Sequence, residues 1–236
     1  MIKRITDPNE LQALPDHGIE AGKIRALFNA YGTEYDFCRF YRQENTFISA
    51  LDGSFVVCAS ENVDISELAQ FFRMNGFADI FCTAEIGAAL SEMLSASFSE
   101  VDLMRFEGST TKQDNIDTTP SLSDVYSIIS EGFDIPFEPW YLDMSHRVRH
   151  GISVCCTLEN KAALVIQHNI NGEALISQVA CGKVHRGQGI AARLVMSAAS
   201  ALAPSDVFVL CEAALIPFYE KCGFVSAGKR TVITIT

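Results

Sequence analysis

Hydrophobic and polar positions alternate in two rhythms along this chain. In the second half, Leu122, Val125, Tyr126 and Ile129 recur at helical spacing behind Ser121, an N-cap with Asp124 three residues on. Phe133 to His150 is aromatic and proline-broken, then helical. Ile152 to Leu158 and Ala162 to Gln167 read as strands joined by Glu159-Asn160-Lys161, and Asn171-Gly172 is a hairpin turn before a strand at Ala174 to Cys181. A glycine-rich turn opens a helix from Gly189 to about Ala203. Asp206 to Cys211 reads as a buried strand, Ala213 to Lys221 as a short helix ended by Gly223, and Phe224 onward as a strand. The order is that of an α/β fold with a central mixed sheet.

The first half repeats this rhythm. Ile2 to Thr6, Phe37 to Gln43, Thr46 to Leu51, Phe55 to Ala59, Ala78 to Cys82 and Val101 to Phe106 read as strands. Gly22 to Tyr31, Ile65 to Asn75 and Glu85 to Leu94 read as helices. Phe71-Phe72-Arg73-Met74-Asn75-Gly76-Phe77 echoes Phe218-Tyr219-Glu220-Lys221-Cys222-Gly223-Phe224, which points to a diverged duplication. Gly108 to Pro120 is polar and has linker composition, so the boundary is drawn there: residues 1–109 and 110–236.

Composition narrows the function classes. The 236 residues are 48% apolar, enough for a substantial core, and no apolar run approaches the roughly 20 residues that cross a bilayer. The basic start lacks a secretory apolar stretch, so the expected compartment is the cytoplasm. Eight cysteines lie in apolar stretches with no Cys-x-x-Cys pair, which reads as buried thiols with no metal site. A net charge of −11 argues against a nucleic-acid partner. The charge is concentrated in residues 1–109, with 8 basic and 17 acidic side chains. That excess could attract a cationic substrate or serve only solubility.

Arg186-Gly187-Gln188-Gly189-Ile190-Ala191 follows a strand and opens a helix. Glycines there allow a tight turn with outward amides, and the helix N-terminus adds partial positive charge, so the segment suits a phosphate or pyrophosphate. A purely structural turn has the same appearance. Neither the Walker ending nor the third glycine of a dinucleotide fingerprint is present. A second segment, Pro217 to Phe224, puts Tyr219 on a short helix, as a half-buried packing residue or as a phenol that could protonate a leaving thiolate.

Together the two segments resemble the GNAT superfamily of acetyl-CoA-dependent N-acyltransferases over about residues 115–236. Arg186, Gly189 and Ala191 fill its pyrophosphate pattern, and Phe218 to Phe224 matches its later helix. The resemblance implies two GNAT-like modules in tandem, the first degenerate, each a mixed sheet flanked by helices. It implies acetyl-CoA as cosubstrate and direct transfer of an acetyl group to a primary amine. Val179, Ala180 and Cys181 would line the pantetheine arm, with the Cys181 amide on the thioester carbonyl. Amides from Arg186 to Ala191, through Gly187, Gln188, Gly189 and Ile190, would hold the pyrophosphate beside Phe218, and Tyr219 would be the acid.

Two positions depart from the family pattern. Glu212 stands where Asn is common, and it could position the cofactor, act as a base or face solvent. Lys183 stands where proline is common. The base stays open among Glu173, Glu212 and His185. Phe133, Phe137, Trp140 and Tyr141 would wall the acceptor or simply form a hydrophobic cluster. The acceptor is a small-molecule or peptide amine, no membrane partner is expected, and the first half would shape the acceptor cleft or a homodimer surface. A non-catalytic acetyl-CoA sensor and a nucleotide-binding protein are the rival readings.

Overall fold

The computed structural model describes residues 1–109 and 114–235. It divides into two compact units: Met1–Asp102 with Gly228–Thr236, and Leu103–Ala227. The first unit runs β1 (Lys3–Arg4), a 3-10 segment at Pro8–Ala13, α1 (Ile19–Tyr31), β2 (Cys38–Gln43), β3 (Thr46–Leu51), β4 (Ser54–Cys58), α2 (Ile65–Asn75), β5 (Asp79–Thr83), α3 (Ala84–Leu94) and β6 (Ser97–Phe106). The second runs α4 (Leu122–Ile129), α5 (Phe137–Arg149), β7 (Val154–Leu158), β8 (Ala162–Ile170), β9 (Glu173–Cys181), α6 (Ile190–Ala201), β10 (Asp206–Cys211), α7 (Ile216–Lys221) and β11 (Phe224–Thr234).

The two units share a topology. In the first, β2, β3 and β4 form an antiparallel meander and β4 pairs parallel with β5. In the second, β7, β8 and β9 do the same and β9 pairs parallel with β10. The parallel pair needs a crossover, which α2 supplies in one unit and α6 in the other. Each unit has its own core. Leu68, Phe72, Ile80 and Leu90 are fully buried in the first, and Leu164, Leu194, Val195 and Val209 in the second.

The division differs from the one drawn at residue 109. Two strands change unit along their length: β6 enters the second unit at Leu103, and β11 enters the first at Gly228. Arg230 to Thr234 of β11 pair antiparallel with β5, and Thr231 lies against α3 where only Gly87 fits, since a Cβ there would sit 2.3 Å from the Thr231 Cβ. Linker composition marks where the chain is polar, whereas the units are set by strand pairing. Part of that polar stretch is pinned down: the Asp114 amide bonds Ser197 Oγ at 3.0 Å, and Asp117 bridges Thr157. No helix among the described residues is long and apolar enough to cross a membrane. Among them, no cluster of His, Cys, Asp or Glu could hold a metal ion.

Candidate active site

The site begins where two neighbouring strands part. The ladder between β9 and β10 ends at the pair Ile176 and Val209, yet β9 continues to Cys181. A bulge accompanies the divergence. Ala163 pairs with Ala180 and Val165 with Ser177, so Gln178 and Val179 together oppose Leu164. Gln178 takes a left-handed backbone (φ 51°), unusual for a residue with a side chain.

Beyond the bulge the direction of the Cys181 amide follows from its neighbour. The Gly182 N–H donates to the Lys161 carbonyl at 2.9 Å, which makes Cys181 and Ala162 a non-hydrogen-bonded pair. The Cys181 N–H and C=O therefore point away from β8, toward the edge that β10 has left. The carbonyl accepts from Arg186 Nε at 3.2 Å.

The turn that follows is built for exposed amides. Gly187 and Gly189 have φ of 78° and 74°, and added Cβ atoms would meet nothing within 4 Å. Gly189 is the N-cap of α6 and offers no capping side chain, and the first turn of α6 carries no acidic residue. Among the described residues no hydrogen bond occupies the amides of Gly187 through Ala192. Several unpaired donors at the positive end of a twelve-residue helix are an arrangement that could hold an anion. The helix is held in place from its side: Arg193 pairs with Asp114 and, at 3.1 Å, with Glu159. Hydrogen bonds from Asp114 and Glu159, then their charges, raise the Arg193 pKa.

Arg186 itself is not free for an anion. Its Nη2 donates to the Glu131 carbonyl at 2.9 Å, and the Lys183 amide donates to the Glu131 carboxylate. The glycine turn is thus latched to the segment between α4 and α5.

Tyr219 is buried at 5% exposure, edge-on to Phe218 and Phe224, in the core against which Val179, Cys181 and Phe218 pack. Burial, and secondarily Cys211 and Cys222, push its phenol well above the ordinary value, so it keeps its proton. The hydroxyl makes no hydrogen bond among the described residues. Glu212 follows the last residue of β10 with an exposed side chain, and its carbonyl accepts from Leu215. His185 closes a short 3-10 turn, Lys183–His185. Glu173 lies at the far end of β9, eight residues before Cys181 in sequence, and is buried.

The aromatic group expected on the acceptor side divides in two. Phe137 and Tyr141 are 42% and 37% exposed and stack at 5.3 Å. Trp140 is 6% exposed and packs against Tyr126, with its indole Nε1 donating to Gln178 Oε1 at 2.9 Å. Sequence reasoning put Trp140 on a wall and missed Gln178 and Glu131. The bulge residue is not a glycine, and the contacts span 38 and 55 residues, so no local signal marks them.

Residues 143–233 match the family model described as an acetyltransferase (GNAT) domain. Residues 143–233 thus carry the signature of a GNAT acetyltransferase domain. Solved structures share the fold over nearly the whole chain. A GNAT-family acetyltransferase from Colwellia psychrerythraea is 12% identical with a TM-score of 0.58 over 100% of both chains. A GCN5-related N-acetyltransferase from Kribbella flavida is 11% identical with a TM-score of 0.63, over 92% of this chain and 94% of its own. A Drosophila protein is 10% identical with a TM-score of 0.65, over 99% and 98%. No curated protein sequence matches the chain. The GNAT domain makes the protein an acyltransferase. Within it, the parted strands and the bare start of α6 lie inside the matched residues.

Proposed function

We propose that the protein is an N-acetyltransferase that moves an acetyl group from acetyl-CoA to a primary amine by direct attack. The observation that carries this reading is the uncapped N-terminus of α6, with free amides from Gly187 to Ala192 beside the open edge of β9. A diphosphate fits the amides, and an extended amide-containing arm fits an unpaired strand edge. Acetyl-CoA supplies both, together with an activated thioester.

The roles of the chain follow from direction and charge. The Cys181 N–H faces the open edge and is placed to donate to the thioester oxygen as it gains charge. The amine lone pair attacks the carbonyl carbon, the C–S bond breaks with its electron pair on sulfur, and the proton shed by the acylated nitrogen passes to the thiolate, directly or through water. An ordinary thiol has a pKa of about 8.5, below that of a phenol. With its pKa raised further, Tyr219 serves the departing thiolate as a hydrogen-bond donor, because full proton transfer would be uphill. The incoming ammonium must first lose a proton. Glu212, exposed at the end of β10, is the carboxylate we assign to that step, directly or through water. Phe137 and Tyr141 offer the acceptor an exposed aromatic face. The first unit is a diverged copy that has lost its diphosphate site. The eight free cysteines suit a reducing cytoplasm.

A sensor reading draws on the same phenol, since burial makes Tyr219 a weak acid. Two measurements decide. Stabilisation of the protein against heat by coenzyme A and not by ATP supports the donor site. Release of free thiol from acetyl-CoA with a panel of small and peptide amines supports the enzyme, and its absence with every amine overturns it.

A further inference from the structure

The left-handed conformation of Gln178 needs an explanation, because nothing in its own chemistry favours it. A side-chain residue at positive φ persists only where its surroundings hold it. Here the holder is identifiable. Trp140 Nε1 donates to Gln178 Oε1 at 2.9 Å, and the indole is fixed in turn by Tyr126 at 5.4 Å between ring centres and by burial to 6% exposure. Gln178 is the residue at which β9 bulges, and the bulge falls two residues after the last pair with β10. It therefore sets the direction of the three residues after it, ending at Cys181.

We propose that Trp140 is a positioning residue: its hydrogen bond to Gln178 holds the kink that presents the edge of β9 to the donor thioester. The inference deepens the acetyl-CoA reading and rests on it. It also links the two substrates. Tyr126 packs on Trp140 at 5.4 Å and on Phe137 at 4.8 Å between ring centres, and Phe137 packs on Tyr141, so an acceptor resting on the exposed pair Phe137 and Tyr141 is coupled through Tyr126 to the residue that orients the donor strand.

The chain has one tryptophan, so the tether reports on itself. Its emission and its single indole N–H resonance come from this one site. Coenzyme A added to the wild-type protein is expected to shift that resonance. Trp140→Phe keeps a ring in the cluster and removes the donor. It is expected to weaken coenzyme A binding and raise the KM for acetyl-CoA by about five- to ten-fold, while the KM for the amine moves less. Gln178→Ala leaves the positive φ without its holder and should match it. The double variant Trp140→Phe with Gln178→Gly is the decisive one. Glycine adopts that φ unaided, so donor affinity should return toward wild type even though the packing defect remains.

A structural role for the tryptophan predicts otherwise: Trp140→Phe lowers the melting temperature, and the added glycine restores nothing. Wild-type coenzyme A affinity in Trp140→Phe, or no recovery in the double variant, overturns the proposal. Failure of the underlying reading looks different: the unmodified protein then shows neither thermal stabilisation nor an indole shift with coenzyme A.

Discussion

The same position in the two units, the start of the crossover helix after the third strand of the meander, is finished in opposite ways. At α6 the chain arrives through Gly187 and Gly189, leaves the N-cap bare and keeps acidic residues out of the first turn. At α2 it arrives through Asp64, whose carboxylate accepts from the Glu67 amide at 3.0 Å. Glu67 then receives the N-terminal ammonium at 3.1 Å, Gln43 Nε2 at 2.9 Å and the Ile2 amide. Desolvation pushes the Glu67 carboxyl upward, but these hydrogen bonds together hold it below the usual range. One helix start is closed by the protein's own carboxylates, and the other is open to a ligand's anion. The strand beside it differs too. β4 runs only two residues past its last pair with β5, at Val57 and Cys58, whereas β9 runs five past its last pair with β10. One topology is thus finished with a self-capped helix start in the first unit and a bare one in the second, through a handful of side chains.

This contrast can be broken most severely at Gly189. Gly189→Glu forces a side chain into a left-handed position and aims a carboxylate at the diphosphate. We expect coenzyme A affinity to fall about 100-fold or more, measured by calorimetry. The wild-type protein should bind one coenzyme A per chain, and a second equivalent would mean that the first unit binds as well. Next in size is Tyr219→Phe, which keeps the ring in its core and removes the donor to sulfur. Turnover should drop by roughly ten- to 100-fold with little change in KM, and unchanged turnover would remove the phenol from the reaction. Asp64→Ala tests the closed start. It should cost about 1 kcal/mol in chemical denaturation and leave acetyl transfer intact, and a loss of turnover would tie the first unit to catalysis.

The last effect is silent at neutral pH and confined to alkaline solution. Burial raises Cys58 and Cys222 to about 11 and Cys82, Cys155 and Cys156 to about 12, above the ordinary thiol value. These groups take up protons more readily in the folded state. Their contribution is therefore fully present below about pH 8.5 and is lost as pH rises toward 11 and 12. A melting temperature that holds level through neutral pH and then declines above about pH 9 is the expected profile.

What could be read in advance was local. The glycine turn before α6, the Ser121 cap of α4, whose hydroxyl accepts from the Asp124 amide at 3.1 Å, and the Asn171-Gly172 hairpin all announce themselves within a few residues. Asp64 and Glu67 stand in plain view at the α2 start, but that Glu67 is satisfied by Met1 and Ile2 was not legible. The contacts that shape the open strand were not legible. Trp140 reaches Gln178, and Glu131 reaches Arg186, only after the meander has folded. Gln178 sits at positive φ for a tertiary reason that no propensity records. The 3-10 segment at Pro8–Ala13 was missed because its six residues are too short for a helical period, although Asp7 capping the Asn9 amide could have signalled it.

The path of β11 has a consequence for the order of events in synthesis. The first unit occupies the opening hundred residues, yet β5 gains its antiparallel neighbour, and buried Glu20 of α1 its partner Arg230, only from residues 228–234. A nascent chain must therefore carry an unfinished sheet edge and an unpaired interior carboxylate until the other unit has been translated. Maturation of the early half is timed by the late one.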